Sequence, residues 1–438
     1  MRGAPRPSGD GSRAARALLC LLATGLWACE GATPAADLAS APGPAATSAA
    51  APFPAGTAPA QPTPPPITSF PVLDLDAAVL AAAESLLTNA TAAGAAAASP
   101  VRRPLTIDPL IDASTGQQLQ ATRSMQARIG ELVRTRHPAF DLQPFTAVTL
   151  AAAPLVLIGT LTTIDAEGQP SAVADSYRVW LTLADLRSGT IVAKARARAR
   201  SASVDATPMP SFRDAPVWAE DDATAAYVAT CHGGKVGGPI PPAYLDRLLA
   251  AALTNDAIEA YDAGRYQEAL ETYAAAHSIA AGDQLRVLNG LYLANWKLGR
   301  HADAAAAFGD IVDYGIRQHR LAVKFLFRPG STAFWPDPEV SGPYPVWLRQ
   351  IALRTSARDD VCVEITGHTS RTGPEPLNER LSLLRAEAIG RRLQAEAPTL
   401  APRIITDGRG SRETLVGTGT DDAIDALDRR VEFRLPPC

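Results

Sequence analysis

The chain has 438 residues, room for two to three domains at roughly 100–200 residues each, so it is not one small module. Its 41 lysines and arginines stand against 45 acidic residues, a formal charge of −4, which excludes the global basic field that non-specific nucleic-acid binding relies on. No nucleic-acid partner is expected. The hydrophobic fraction is 47%, but much of it is alanine, with 37 prolines and only 10 phenylalanines, so core-forming residues must be concentrated in particular stretches.

Arg2, Arg6, Arg13 and Arg16 precede a short apolar run from Ala17 to Ala28, the order of charged and hydrophobic regions in a secretory signal. Beyond it, no run of about 18 apolar residues reads as a membrane-spanning helix. Leu26-Trp27-Ala28-Cys29 resembles the lipobox of bacterial lipoproteins. That resemblance implies a signal peptide over 1–28 and lipidation of Cys29; an ordinary cleaved signal with a chance cysteine is the plain alternative. Glu30 is not the aspartate that retains Gram-negative lipoproteins in the inner membrane, so the implied partner of lipidated Cys29 is outer-membrane lipid. Residues 29–66 are almost all Ala, Pro, Thr, Ser and Gly, too poor in core-forming side chains to offset their ordering entropy. They read as an extended tether, and at ~3.1 Å per residue it could reach on the order of 100 Å.

From 67 to 200 the pattern predicts a helix at Leu73–Thr88, a strand at Leu105–Ile107 and a second helix at Gln117–Thr135 with Met125, Ile129 and Leu132 at helical spacing. A strand at Leu155–Ile164 follows, then a hairpin in which Tyr177–Leu186 and Thr190–Arg200 flank Arg187-Ser188-Gly189. This reads as an N-terminal α/β domain with a mainly antiparallel sheet. The order, with "IGTLTTID" and "VWLTLADLRSGTIVAKARAR", resembles the FlgO/CsgG-like domains of bacterial surface lipoproteins. Lys194, Arg196, Arg198 and Arg200 alternate with alanines, placing cations on one strand face and methyls on the other. A solvated outer face is the plain reading, and a basic stripe for an anionic partner the functional one.

Residues 201–243, rich in Pro, Gly and Asp, read as an irregular linker, with Cys231-His232 in an ordinary loop. The six histidines are scattered, so no metal or cofactor is expected. Over 244–315, "AYDAGRYQEALETYAAA" and "ANWKLGRHADAAAAFGD" repeat with a period of 35 residues, aligning Gly264 with Gly299 and Tyr273 with Phe308. The period resembles that of tetratricopeptide helix pairs, which implies either a protein partner at the repeats or a spacer role. Two repeats alone are too few for a stable solenoid, so packing on a neighbour is expected.

From 316 to 438, alternating strands and helices predict an α/β sandwich with helices on one sheet face, giving the chain an α/β multidomain class with a central helical repeat pair. A helix over Asn378–Ala395 is expected to have Asn378 as N-cap and a buried stripe of Leu381, Leu384, Ala388 and Leu393. "ITGHTSRTGPEPLNERLSLLRAEAIGRRL", "DGRGSRE" and "DRRVEFRL" resemble the OmpA-like peptidoglycan-binding domain. The resemblance implies no enzyme but non-covalent binding to the diaminopimelate of the peptidoglycan stem peptide, with Thr369, Ser370, Asn378, Arg385 and Arg430 as site residues. It makes Arg385 the grip on a carboxylate, a task suited to a planar bidentate donor, with its head near the Thr369–Gly373 loop. The family's "GHTD" is Gly367-His368-Thr369-Ser370 here, so the acid that pairs with the ligand ammonium is absent, and Glu375 or Glu379 is the candidate substitute. Asp428 and Arg430 are open to a bracing role or a ligand contact. The implied location is the outer membrane, facing the periplasm, where Cys362 and Cys438, flanking one sheet, are expected to bridge.

Overall fold

The computed structural model describes residues 66–94, 102–171, 175–218, 221–328, 330–415, 419 and 428–438. The signal peptide, Cys29 and the tether up to Pro65 lie outside the described residues. The chain runs β1 (Val72–Leu73), α1 (Leu75–Ala92), β2 (Arg103–Ile107), β3 (Ile111–Asp112), α2 (Gln120–Arg136), β4 (Phe140–Leu142), α3 (Ala147–Ala151), β5 (Leu155–Ile164), β6 (Ser176–Asp185) and β7 (Thr190–Arg200). It continues through α4 (Pro210–Asp214), β8 (Val217–Trp218), α5 (Asp222–Gly233), α6 (Pro242–Leu245), α7 (Leu248–Asp262), α8 (Tyr266–His277), α9 (Leu285–Lys297) and α10 (His301–Arg317). The last part is β9 (Arg320–Val323), α11 (Pro338–Ser341), α12 (Tyr344–Ser356), β10 (Val363–Gly367), α13 (Glu375–Glu396), β11 (Ile404–Gly408) and β12 (Val431–Arg434).

The first sheet has the order β1-β7-β6-β5-β2-β4, with β3 also on β5. The expected hairpin is present and β5–β6–β7 form long antiparallel ladders, yet the four flanking pairings, β1–β7, β2–β5, β2–β4 and β3–β5, are parallel. The sheet is therefore mixed: its long central ladders are antiparallel and its short flanking pairings parallel. Helices intervene between flanking strands, as between β2 and β4, and return the chain to the same end. Along β7, Ala193, Ala195, Ala197 and Ala199 are buried against α1, whose Ala78, Ala82, Ala83 and Ala90 let helix and sheet approach closely.

The stretch 201–243 is not an irregular linker. Its prolines and aspartates begin helices: Pro210 and Pro242 open α4 and α6, and the Asp221 carboxylate caps α5 by accepting from Thr224 N at 2.7 Å. Cys231 and His232 sit in the last turn of α5, not in a loop, and the free thiol of Cys231 is buried against β5 and β6. β8 leaves this stretch to pair with β9, extending the second sheet.

α7–α8 and α9–α10 form two helical hairpins. Gly264 and Gly299 occupy equivalent turns at φ +76° and +71°, a conformation glycine adopts without penalty. Gly290 of α9 lies against the Tyr273 ring, where a Cβ would sit 2.2 Å from ring carbons. The hairpins pack on a neighbour: one hydrophobic cluster runs from Tyr261, Tyr273 and Phe308 through Trp347 to Ile365 and Phe433. Phe308 stacks on Trp347 at 5.5 Å, and Trp347 Nε1 donates to Tyr292 Oη at 2.8 Å.

The second sheet has the order β11-β10-β12-β9-β8, parallel only between β10 and β11. α13 packs on β10 and β11, and Cys362 and Cys438 form a disulfide with Cα atoms 4.9 Å apart. The buried face of α13 is Asn378, Ser382, Arg385, Ala386, Ala388, Ile389, Gly390 and Leu393, whereas Leu384 is exposed and Leu381 half-buried. Ala388 and Leu393 of the expected stripe are thus buried and its two N-terminal leucines are not, because there the helix approaches the sheet over Asn378, Ser382 and Ala386.

Candidate functional site at the head of α13

β10 and β11 end side by side at Gly367 and Gly408, which are in register. Both touch α13: a Cβ on Gly367 would lie 2.1 Å from Ser382 O, and one on Gly408 2.5 Å from Leu383 N. No side chain larger than hydrogen fits, so the loops that leave both strands emerge directly at the helix. Ser382 Oγ ties them down, accepting from Gly410 N at 2.9 Å while donating to Glu379 O at 2.8 Å. Thr369 N donates to Gly410 O at 2.9 Å, so the 368–370 and 409–411 loops are braced together.

Arg385 lies about one turn beyond Ser382 and is only 6% exposed. Its Nε donates to Ser331 O and its Nη2 to Arg328 O, both at 3.2 Å, with the guanidinium 4.9 Å above the Phe327 ring. These contacts hold the head against the 328–331 loop. Asn378 is not the N-cap. Pro374 occupies that position, and Asn378 lies in the first turn, buried, with Nδ2 donating to Gly373 O at 3.4 Å. Thr369 and Ser370 are both buried, and Thr369 Oγ1 makes no hydrogen bond among the described residues.

The two carboxylates considered as replacements for the missing acid are both engaged. Glu375 accepts from the backbone N and the hydroxyl of Ser411, and Glu379 pairs with Arg412 at 3.2 Å. Arg430 is buried in an ion pair with Glu432, Nε and Nη2 both 2.7 Å from Oε1, and its Nη1 donates to Glu413 O. Arg320 adds a second cation to Glu432 at 2.9 Å, and Asp428 accepts from Leu415 N. The structure thus gives Arg430 and Asp428 bracing contacts within the loop and last strand. Ser382 and Thr369 are thus joined through Gly410, Asn378 holds Gly373 at the start of the same helix, and Arg385 is held by the 328–331 loop.

His368 was not singled out in the sequence. Its ring is 2% exposed, its two nitrogens have no hydrogen-bond partner, and Glu413 and Glu432 oxygens lie 4.0 Å away. Burial, reinforced by the Arg430 charge, lowers its pKa to about 3, so it is neutral at physiological pH. Burial works to raise the Glu432 pKa, but Arg430 and Arg320 outweigh it and hold the value at about 2. The motif "GHTS" was the available signal, but it does not distinguish a buried imidazole from an exposed one.

Among the described residues no helix is long and apolar enough to cross a membrane, and no group of three or more His, Cys, Asp or Glu side chains could hold a metal ion. Outer membrane protein Omp38 from two strains of Acinetobacter baumannii is 33% identical over 92 residues, which is 21% of this chain and 26% of that protein. The chain therefore spans about a quarter of the length of these curated relatives. The peptidoglycan-associated lipoprotein from Burkholderia pseudomallei is similar at 24% identity over 26% of this chain and 88% of that one, with a TM-score of 0.22. The cell wall anchor of the T6SS from Pseudomonas aeruginosa is similar at 25% identity over 26% and 78%, with a TM-score of 0.21. Residues 345–426 match the OmpA family, and this C-terminal segment is an OmpA-family domain.

Proposed function

We propose that the chain is a lipid-anchored, periplasm-facing outer-membrane protein that binds peptidoglycan non-covalently through its C-terminal part, a binder and not an enzyme. The observation that carries the reading is Arg385, whose planar guanidinium is oriented by two carbonyls and an aromatic ring within the OmpA-family segment. Arginine has five N–H donors in a fixed fork, and a fork held in place loses little entropy on gripping a carboxylate, here that of diaminopimelate in the stem peptide. Ser370 supplies a hydroxyl where an acid would meet the ligand ammonium. The outer-membrane assignment draws support from the similarity to Omp38. Attachment through Cys29 rests on the lipobox-like sequence. In this reading residues 67–200 are a FlgO/CsgG-like module and the two helical hairpins are tetratricopeptide-like.

Co-sedimentation of the full chain with purified sacculi tests the reading. Wild type is expected to pellet weakly, and Ser370→Asp more strongly. Cys29→Ser is expected to move the protein from the membrane fraction to the soluble periplasm or to leave an unprocessed precursor; unchanged fractionation and mass would remove the anchor.

One observation favours a second reading. With Glu375 and Glu379 both held by the 411–412 loop, the acidic half of the clamp has no ready substitute. The C-terminal part would then bind the wall weakly or not at all, and the middle modules would recruit a protein partner as an envelope scaffold. Failure of wild type and of Ser370→Asp alike to pellet with sacculi selects this reading.

A further inference from the structure

A cavity lies where the loops that follow β2 and β3 meet the helical hairpins, and its lining holds polar atoms that the fold leaves unmatched. Asp108 follows β2, Gln118 precedes α2, Asn255 lies on α7 and Arg286 on α9. Asp108, Gln118 and Asn255 are 4%, 2% and 8% exposed, yet Gln118 Oε1 and Asn255 Oδ1 accept no hydrogen bond among the described residues. Asp108 accepts from Tyr244 Oη at 2.6 Å and forms no ion pair among the described residues. Burial raises its pKa to about 7, against the Tyr244 hydrogen bond and the Arg286 charge, which lower it. The carboxyl thus stands near its titration point, and a cation reaching it would hold it in the ionised form.

Arg286 brings the opposite charge to the same cavity. Its Nη2 donates to Gly116 O at 3.1 Å and to Thr224 Oγ1 at 3.4 Å, which orients the guanidinium, and it makes no other hydrogen bond and no ion pair among the described residues. Its charge is close enough to act on Asp108, but the two do not pair. The third charged group of the lining is engaged elsewhere: Arg247 donates to Ala243 O at 2.8 Å and lies 4.0 Å from Asp222. Arg247 is half-buried and marks the side on which the cavity reaches solvent. Buried acceptors without donors cost stability, so the two amides and the carboxyl call for a group that donates, while Arg286 calls for one that accepts. A lone cation would be repelled by Arg286, and a lone anion by Asp108. One ligand meets both demands if it carries an ammonium and a carboxylate.

We infer that this cavity binds a small zwitterion, an α-amino acid, whose ammonium is taken by Asp108, Gln118 and Asn255 and whose carboxylate is taken by Arg286. An ammonium has three donors for these three acceptors, and a guanidinium fork matches a carboxylate. Ile111, Leu248 and Ile258 add an apolar wall suited to a short aliphatic side chain. Ligand pockets form preferentially between modules, and here α7 and α9 face the loops of the first sheet, so the bound amino acid would hold hairpins and sheet together. The site is separate from the head of α13, and its test stands whatever the outcome with sacculi.

Calorimetric titration of the full chain carrying Cys29→Ser, so that no acyl chain contributes, with L-alanine and D-alanine in turn tests the inference. Propionate is alanine without its ammonium and ethylamine is alanine without its carboxylate, so the analogues separate the two ends of the ligand. At least one enantiomer is expected to bind and to raise the melting temperature, and each analogue to bind about tenfold more weakly or less. Arg286→Gln and Asp108→Asn are each expected to weaken alanine binding about tenfold or more. Arg200→Gln, which breaks an exposed pair with Asp74, is expected to leave it unchanged. If Asp108→Asn melts early, Asn255→Leu, close to asparagine in volume, is read in its place with the same expectation. A wild type that binds neither enantiomer would show that water alone meets these polar atoms. That result, an analogue that binds as tightly as alanine, or an Arg286→Gln variant that binds as well as wild type overturns the inference.

Discussion

At the scale of single residues, the head of α13 combines a buried cation fixed by carbonyls with a buried neutral histidine. Ser370 is 5% exposed, so Ser370→Asp places a carboxylate where water reaches it poorly. The free variant is expected to melt below wild type and to recover on adding sacculi, because an ammonium then pairs with the new charge. Breaking a buried charge pair costs about 2–5 kcal/mol, which sets the expected gain in affinity at roughly thirtyfold or more. His368 makes a separate, pH-dependent contribution. Its folded pKa of about 3 lies below the unfolded value near 6.5, so the unfolded chain binds more protons between these limits. The stability it contributes is complete above pH 6.5 and is lost as pH falls toward 3. Between pH 7 and 5 that loss is about 2 kcal/mol. Urea denaturation of wild type and His368→Gln at both pH values isolates it: wild type is expected to lose about 2 kcal/mol more than the variant, and equal losses would show that the imidazole is not held neutral.

At the scale of elements, strand and helix positions were largely legible because periodicity is local, while faces and partners were not. The β6–β7 hairpin and all four hairpin helices followed from alternation, from helical spacing and from glycines 35 residues apart. The leucines of "LSLLRA" drew the N-terminal half of the predicted stripe of α13 away from its true face, where Ser382, Ala386 and Gly390 recur every four residues to admit the sheet. That small-residue spacing was in the sequence, but it gains meaning only once Gly367 and Gly408 are known to lie beneath it. Gly367→Ala forces a methyl toward the backbone of Ser382 and is expected to lower stability by about 1–3 kcal/mol, measured by urea denaturation. Residues 201–243 were misread because proline and aspartate signal helix starts as well as loops, α4 and α6 are too short to show a period, and α5 is rich in alanine and threonine, which set its faces little apart. Of the site residues, Arg385 and Asn378 were legible as residues on α13, but the 328–331 loop that holds Arg385 comes from about 55 positions earlier in the chain, beyond the reach of local pattern.

At the scale of the whole molecule, the modules legible along the chain share one hydrophobic cluster from the helical hairpins to the second sheet, and β8 adds a strand to that sheet from before the hairpins. A fragment starting at 316 would expose Trp347 and lose β8. It is expected to unfold at lower urea concentration than the full chain, and an equal midpoint would show that the C-terminal part is self-sufficient. Binding is therefore best measured on the full chain. The central claim is that Arg385 reads a carboxylate of the peptidoglycan stem peptide, and calorimetric titration with a diaminopimelate-containing stem peptide, and with the same peptide carrying that carboxylate as an amide, tests it most directly. The account predicts binding to the first that is lost both on amidation and in Arg385→Ala; equal affinity for the two peptides, or undiminished binding by Arg385→Ala, would contradict it.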